Sequence, residues 1–296
     1  MSIKQKIKNV FLKKYYFKVL QWYSSFVAGH YLSGNPGDIK ELNDSLIDKY
    51  QKEYNLPEKV DSSPTGLEST ARKRIQQMEG ICPKFSYYKN ILELGCYDGM
   101  ILYCLKKMGK NVTGIDLRDE FDERASAAGV RFFQMSVNEM NFKDNTFDFI
   151  YSFSSFEHFD NPEKALLESL RVLKVGGYAY LDFAPLYYSP YGAHAYYSIS
   201  IPYCNILFNK SQLGKYIMAN KLDSIPDDDL NKWSIEDYRN LWKKYQSNIK
   251  IIKYFEKPDL RFINLIKKHP SRFRNISKNI DNFTISSIEI CFQKIS

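Results

Sequence analysis

A short apolar run, Asn90-Ile91-Leu92, leads into Glu93-Leu94-Gly95-Cys96-Tyr97-Asp98-Gly99. A helical pattern follows, with Ile101, Leu102, Leu105 and Met108 on one face. A second apolar run, Val112-Thr113-Gly114-Ile115, then ends on Asp116. The order is strand, glycine turn, helix, strand, acid. It commits this part of the chain to an alternating α/β fold with parallel strands. It also suits the binding of a nucleoside, in which a backbone turn comes close to the ligand and a carboxylate at the tip of the next strand grips ribose hydroxyls.

Two details separate the turn from a dinucleotide site. Tyr97 stands where a middle glycine would be, so the spacing is not that of a pyrophosphate loop. The turn also carries two acids, Glu93 and Asp98. A pyrophosphate wants backbone N–H groups and the positive end of a helix, not carboxylates. An acidic turn suits a ligand with a cationic centre and an ammonium group. S-adenosylmethionine has both, with a ribose for Asp116.

From Asn90 to about Asp182 the chain resembles the class I S-adenosylmethionine-dependent methyltransferases. Val130-Arg131-Phe132-Phe133-Gln134 matches that family's third strand, and Phe142 to Ile150 its turn into the fourth. Ser154-Ser155-Phe156-Glu157-His158 resembles the segment after that strand. Leu166 to Gly177 resembles the helix and glycine turn before strand five. The resemblance implies an α/β fold: a doubly wound, mostly parallel seven-stranded sheet with helices on both faces. It implies S-adenosylmethionine as cofactor, held by Glu93, Gly95 and Gly99 in the loop and Asp116 on the ribose. Tyr97, Asp98, Leu117, Ser136, Val137 and Phe153 complete the expected shell. The chain departs from the family at Tyr97 and at Ser136, where an acid usually meets the adenine amino group. Arg72, Lys73 and Arg74 precede strand one and are candidates for the methionine carboxylate.

The expected organisation has four parts. Residues 1–83 form an N-terminal helical extension and a lead-in helix, and 84–185 the cofactor-binding core. Residues 186–248 form a lid inserted after strand five, and 249–296 the strands that complete the sheet. Residues 1–37 hold six Lys and no acid among many apolar and aromatic residues. They read as basic amphipathic helix, packed on the domain or lying on an anionic membrane surface. No apolar run reaches the roughly eighteen residues of a spanning helix. The five cysteines are scattered without a C-x-x-C pair, which fits free thiols in a reducing cytoplasm. The four His include no ligand-spaced pair, so no metal is expected. The net charge of +8 and pI near 9.0 fit an anionic partner or a Lys-rich composition in general.

Methyl transfer needs alignment, exclusion of water and, for a hydroxyl acceptor, removal of a proton. His158, after strand four, and His194, in the lid, are the candidate bases; His158 could equally be structural. Tyr187, Tyr188, Tyr191 and Tyr196 crowd the start of the lid and suit flat or polyhydroxylated acceptors. The expected acceptor is a small molecule, sugar or lipid-linked intermediate. No nucleic-acid module is present, which argues against a nucleic-acid partner. Two other readings remain: an RNA methyltransferase, and a degenerate fold serving as a scaffold. The location implied is cytoplasmic, with possible peripheral contact at the inner membrane face through residues 1–37.

Overall fold

A computed structural model of the chain describes residues 19, 26, 29–34, 42–56, 61–195, 197–225 and 230–296. Most of the basic segment 1–37 and the candidate Tyr196 lie outside the described residues. Among the described residues, no helix is long and apolar enough to cross a membrane.

Seven strands form one sheet. They are β1 (Asn90–Leu94), β2 (Asn111–Asp116), β3 (Arg131–Gln134), β4 (Phe147–Phe153), β5 (Leu173–Phe183), β6 (Ile249–Pro258) and β7 (Ile285–Lys294). Their order across the sheet is β3-β2-β1-β4-β5-β7-β6. The first five run parallel, and β7 pairs antiparallel with both β5 and β6. The order reverses between β1 and β4, so their C-terminal ends border the crevice where open α/β sheets hold ligands. This is the sheet expected from the resemblance.

Two apolar layers cover it. Strand residues alternate between faces: Ile150 of β4 joins one core, and Phe149 and Tyr151 join the other. On the first face lie α5 (Pro162–Val172) and α8 (Ile235–Lys244), the latter through Ile235, Tyr238, Leu241 and Trp242. On the second lie α2 (Pro64–Ile81) and α3 (Met100–Lys107). Ser63 caps α2 by accepting from Gly66 N–H, and Pro64 opens the helix where its missing N–H costs nothing. Ser234 and Asp237 form a reciprocal capping box on α8. All five cysteines are buried free thiols.

A third core stands apart from the sheet. It joins Ile47 and Tyr50 of α1 (Ser45–Glu53), a run from Ala195 to Leu213, and Leu265, Ile266, Phe273, Ile280 and Phe283. The middle run carries the short α6 (Cys204–Leu207) and α7 (Lys210–Asn220). The last set comes from α9 (Ile263–Lys268), α10 (Pro270–Arg274), Ile280 and α11 (Asp281–Thr284). These three distant stretches, joined by the fully buried Leu32, therefore build one cap. The basic stretch Lys267–Lys278 is part of it: Phe273 is fully buried, while its neighbours Arg272 and Arg274 remain partly exposed.

Candidate cofactor and acceptor site

The turn after β1 is left-handed at three alternate positions: Gly95 at φ +68°, Tyr97 at +48° and Gly99 at +75°. Left-handed backbone favours glycine. Gly95 is further required by crowding, since a Cβ there would come 2.6 Å from the Ser155 side chain. At Gly99 it would come 2.4 Å from the Phe132 ring. Tyr97 keeps the conformation of the missing glycine because its ring leaves the turn. It is 62% exposed and lies under the Arg118 guanidinium, 4.2 Å from the ring centroid. The tyrosine thus replaces the glycine without filling the turn.

Asp116 closes β2. Its Oδ2 accepts from Tyr97 N–H at 2.9 Å, and its Oδ1 from Arg118 N–H at 3.1 Å. Those bonds, with Arg118 Nε–H on Oδ1 at 3.4 Å, fix the carboxylate and leave a lone pair on Oδ2, and the side chain is 14% exposed. Leu117 follows, 69% exposed at the strand tip. Asp98 acts locally, its Oδ1 accepting from Met100 N–H at 2.8 Å where α3 begins. Glu93 lies beneath the turn, 3% exposed, accepting from the Tyr151 hydroxyl at 2.9 Å. Burial pushes its carboxyl well above the ordinary range, and Asp98 and Asp116 add to the rise; Tyr151 and Arg74 oppose it.

Ser136 is half-buried and accepts from Asn138 N–H at 3.2 Å, and Val137 is buried beside it. Two residues beyond Ser136, Asn138 Oδ1 is buried without a partner. An orphaned acceptor at this place could meet an amino group. Neither residue type nor spacing singles Asn138 out in the sequence. Among the three lead-in cations, Arg72 pairs with Glu68 on its own helix. Arg74 turns inward, its guanidinium 4.8 Å over the Phe153 ring and Nη2 3.5 Å from Ser154 Oγ. It lowers the carboxyl pKa of Glu93, Glu157 and Asp182 alike, which places it among the acids at the strand ends. The open left-handed turn, the fixed Asp116 and the spare acceptor fit an adenosyl group. Arg74 fits an amino acid carboxylate.

The segment after β4 abuts the turn. Ser155 donates to Gly95 O at 3.0 Å, and His158 ends the single 3-10 turn that follows. The His158 ring packs edge-on against His194 at 4.9 Å between centroids. Glu157 joins them: one ligand atom from each of the three lies within 4.8 Å of the others. Glu157 is 1% exposed; its Oε1 accepts from Ala184 N–H at 3.1 Å and its Oε2 has no partner. Burial raises its pKa to about 8. The two candidate bases, far apart in sequence, thus meet at one point. The same three groups could also hold a metal ion, a grouping missed by a search for closely spaced His pairs.

The lid tyrosines disperse. Tyr187 lines a cavity of about 420 Å3 together with His194. Tyr188 packs edge-on against Tyr187 and borders the cap core. Tyr191 lines a different hollow, of about 800 Å3, and packs against Phe262. That hollow also meets Leu56, whose chain continues into residues 57–60, outside the described residues.

Comparison with known proteins agrees with this fold. Residues 92–181 match the methyltransferase domain family. A ubiquinone biosynthesis O-methyltransferase of Colwellia psychrerythraea is 28% identical over 109 residues, 34% of this chain and 44% of that protein. A ubiquinone/menaquinone biosynthesis C-methyltransferase of Idiomarina loihiensis is 30% identical over 135 residues, 42% of this chain and 53% of that protein. The chain therefore spans about half the length of these relatives. A solved S-adenosylmethionine-dependent methyltransferase of Listeria monocytogenes, so assigned, superposes with a TM-score of 0.50 at 14% identity. That match covers 76% of this chain and 99% of the other, and it shows the shared fold. Residues 92–181 of this chain are a methyltransferase domain, and that family implies S-adenosylmethionine as its cofactor.

Proposed function

We propose that the protein transfers a methyl group from S-adenosylmethionine to a hydroxyl of a small-molecule, sugar or lipid-linked acceptor. The observation that carries this reading is the convergence of Glu157, His158 and His194 beside the cofactor turn. When bound, the cofactor supplies an electrophilic methyl on a cationic sulfonium. Asp116 would hold the ribose hydroxyls, Leu117 and Val137 would line the adenine site, and Asn138 Oδ1 would accept from the adenine amino group. Arg74 would hold the methionine carboxylate. His194 or His158 takes the proton of the acceptor hydroxyl as it attacks. The cap keeps water from the reacting atoms. The two relatives are named for methylation at oxygen and at carbon in quinone biosynthesis, which supports a small organic acceptor and leaves the atom to be tested.

The test is calorimetric titration of S-adenosylmethionine and S-adenosylhomocysteine into the full chain. We expect micromolar binding, weakened at least about tenfold by Asp116→Ala, the cost of roughly one charged hydrogen bond. Absence of binding by well-folded protein would sink the reading in favour of a scaffold. Methylation of RNA, with binding that falls steeply as salt rises, would replace the acceptor class.

A further inference from the structure

The cap contains a cavity that cofactor binding does not require. It measures about 420 Å3 and is walled by Phe208, Leu213, Ile217 and Leu230, with His194 and Tyr187 also lining it. His194 belongs at once to this cavity and to the cluster with Glu157 and His158. The hollow and the proposed proton acceptors are therefore contiguous.

Two further observations point to a ligand. Asn205 lines the cavity; its Nδ2 donates to Tyr187 O at 3.2 Å, but its Oδ1 is buried with no partner. A buried acceptor left unpaired is costly, so a ligand donor has a place there. Gly214 also lines the cavity, from within α7. Glycine weakens a helix interior. A Cβ at this position would meet nothing within 4 Å, so a larger side chain there has open space to enter at the cavity wall.

We infer that this cavity is the acceptor subsite and that it takes the apolar body, ring or chain, of a hydroxylated amphiphile. One hydroxyl of the ligand donates to Asn205 Oδ1, and the reacting hydroxyl lies at His194. The placement of the reacting hydroxyl rests on the methyltransferase reading; the apolar occupant does not. Asn205, Asn209, Lys210 and Ser224 also line the cavity, but a free sugar would still turn hydroxyls toward Leu213, Ile217 and Phe208, which offer no partners. An alkylated phenol or lipid-like alcohol would bury apolar surface against them.

The test titrates 4-hexylresorcinol, resorcinol and methyl glucoside into the full chain, with and without S-adenosylhomocysteine, and repeats the series on Gly214→Leu. We expect 4-hexylresorcinol to bind at least tenfold tighter than resorcinol, and methyl glucoside not to bind. Gly214→Leu fills the cavity and should cost at least tenfold in 4-hexylresorcinol affinity. Its melting temperature should hold or rise, because a helix former replaces glycine, and its S-adenosylhomocysteine affinity should stay unchanged. Preference for methyl glucoside, or 4-hexylresorcinol binding indifferent to Gly214→Leu, overturns the subsite. If S-adenosylhomocysteine fails to bind while 4-hexylresorcinol binds and is blocked by Gly214→Leu, the apolar subsite stands and the methyltransferase reading falls.

Discussion

Glu157 is the residue whose chemistry is most changed by the fold. In water its carboxyl would be ionised near neutrality; burial raises its pKa to about 8, and Asp182 adds to the rise while Arg74 and two backbone N–H groups oppose it. The folded state therefore prefers the protonated form. Its stabilising contribution is complete below the ordinary glutamate range and is lost as pH rises through about 8. Glu157→Gln keeps an acceptor for Ala184 N–H and cannot ionise. The melting temperature of the parent protein, taken relative to this variant, should fall between pH 5 and 9 by the equivalent of a few kcal/mol, since each tenfold change in acidity is worth about 1.4 kcal/mol. A difference independent of pH would show that the carboxyl titrates in its ordinary range. A divalent cation bound by Glu157 and the two His would ionise the carboxyl instead, so the slope should be measured with and without chelator.

At the scale of elements, the cofactor turn shows how much a sequence says and where it stops. Strand, turn, helix, strand and acid were legible because hydrophobic period and turn chemistry agree locally. The backbone angle of Tyr97 was not, since residue type reads as a break in a glycine pattern while φ +48° preserves the pattern. Nor could the partner that makes this tolerable, Arg118, be read from its position two residues after Asp116. The cap was hidden for another reason: α9 to α11 are too short to establish a helical period, and their buried Leu265, Phe273 and Phe283 are interleaved with polar and charged residues. Asn138 and Glu157 took their significance from burial alone. The turn yields its own test. Tyr97→Gly relieves left-handed strain of about 1–2 kcal/mol, loses a cation–π contact of about 0.5–1, and adds unfolded-state entropy of about 0.5–1. Stability should change by no more than about 1 kcal/mol, and cofactor affinity by no more than about threefold. A loss of tenfold or more in calorimetry would mean that the ring itself touches the cofactor.

Across the whole molecule, the division of the apolar core decides what can move independently. The two sheet cores are held together by one continuous ladder of strands, whereas the cap has its own core, gathered from three separate stretches. Its centre is Phe273, fully buried, with Tyr203 and Phe283 packed edge-on at 5.0 and 5.1 Å. The Tyr203 hydroxyl donates to Phe283 O at 2.9 Å, tying the inserted stretch to the one before β7. Phe273→Ala would leave a cavity at this junction, at a cost of about 3–5 kcal/mol. A unit with its own core can open without the rest. Hydrogen exchange should therefore accelerate in residues 199–217 and 263–283, while β1, β4 and β5 stay protected. Cofactor affinity should fall by less than about threefold, because every proposed cofactor contact lies on the sheet side. Turnover with any acceptor should drop far more, since His194 and the cavity it lines belong to the cap. Loss of protection in the central strands in step with the cap would show instead that the molecule opens as one cooperative unit, and the separation argued from the cores would be wrong.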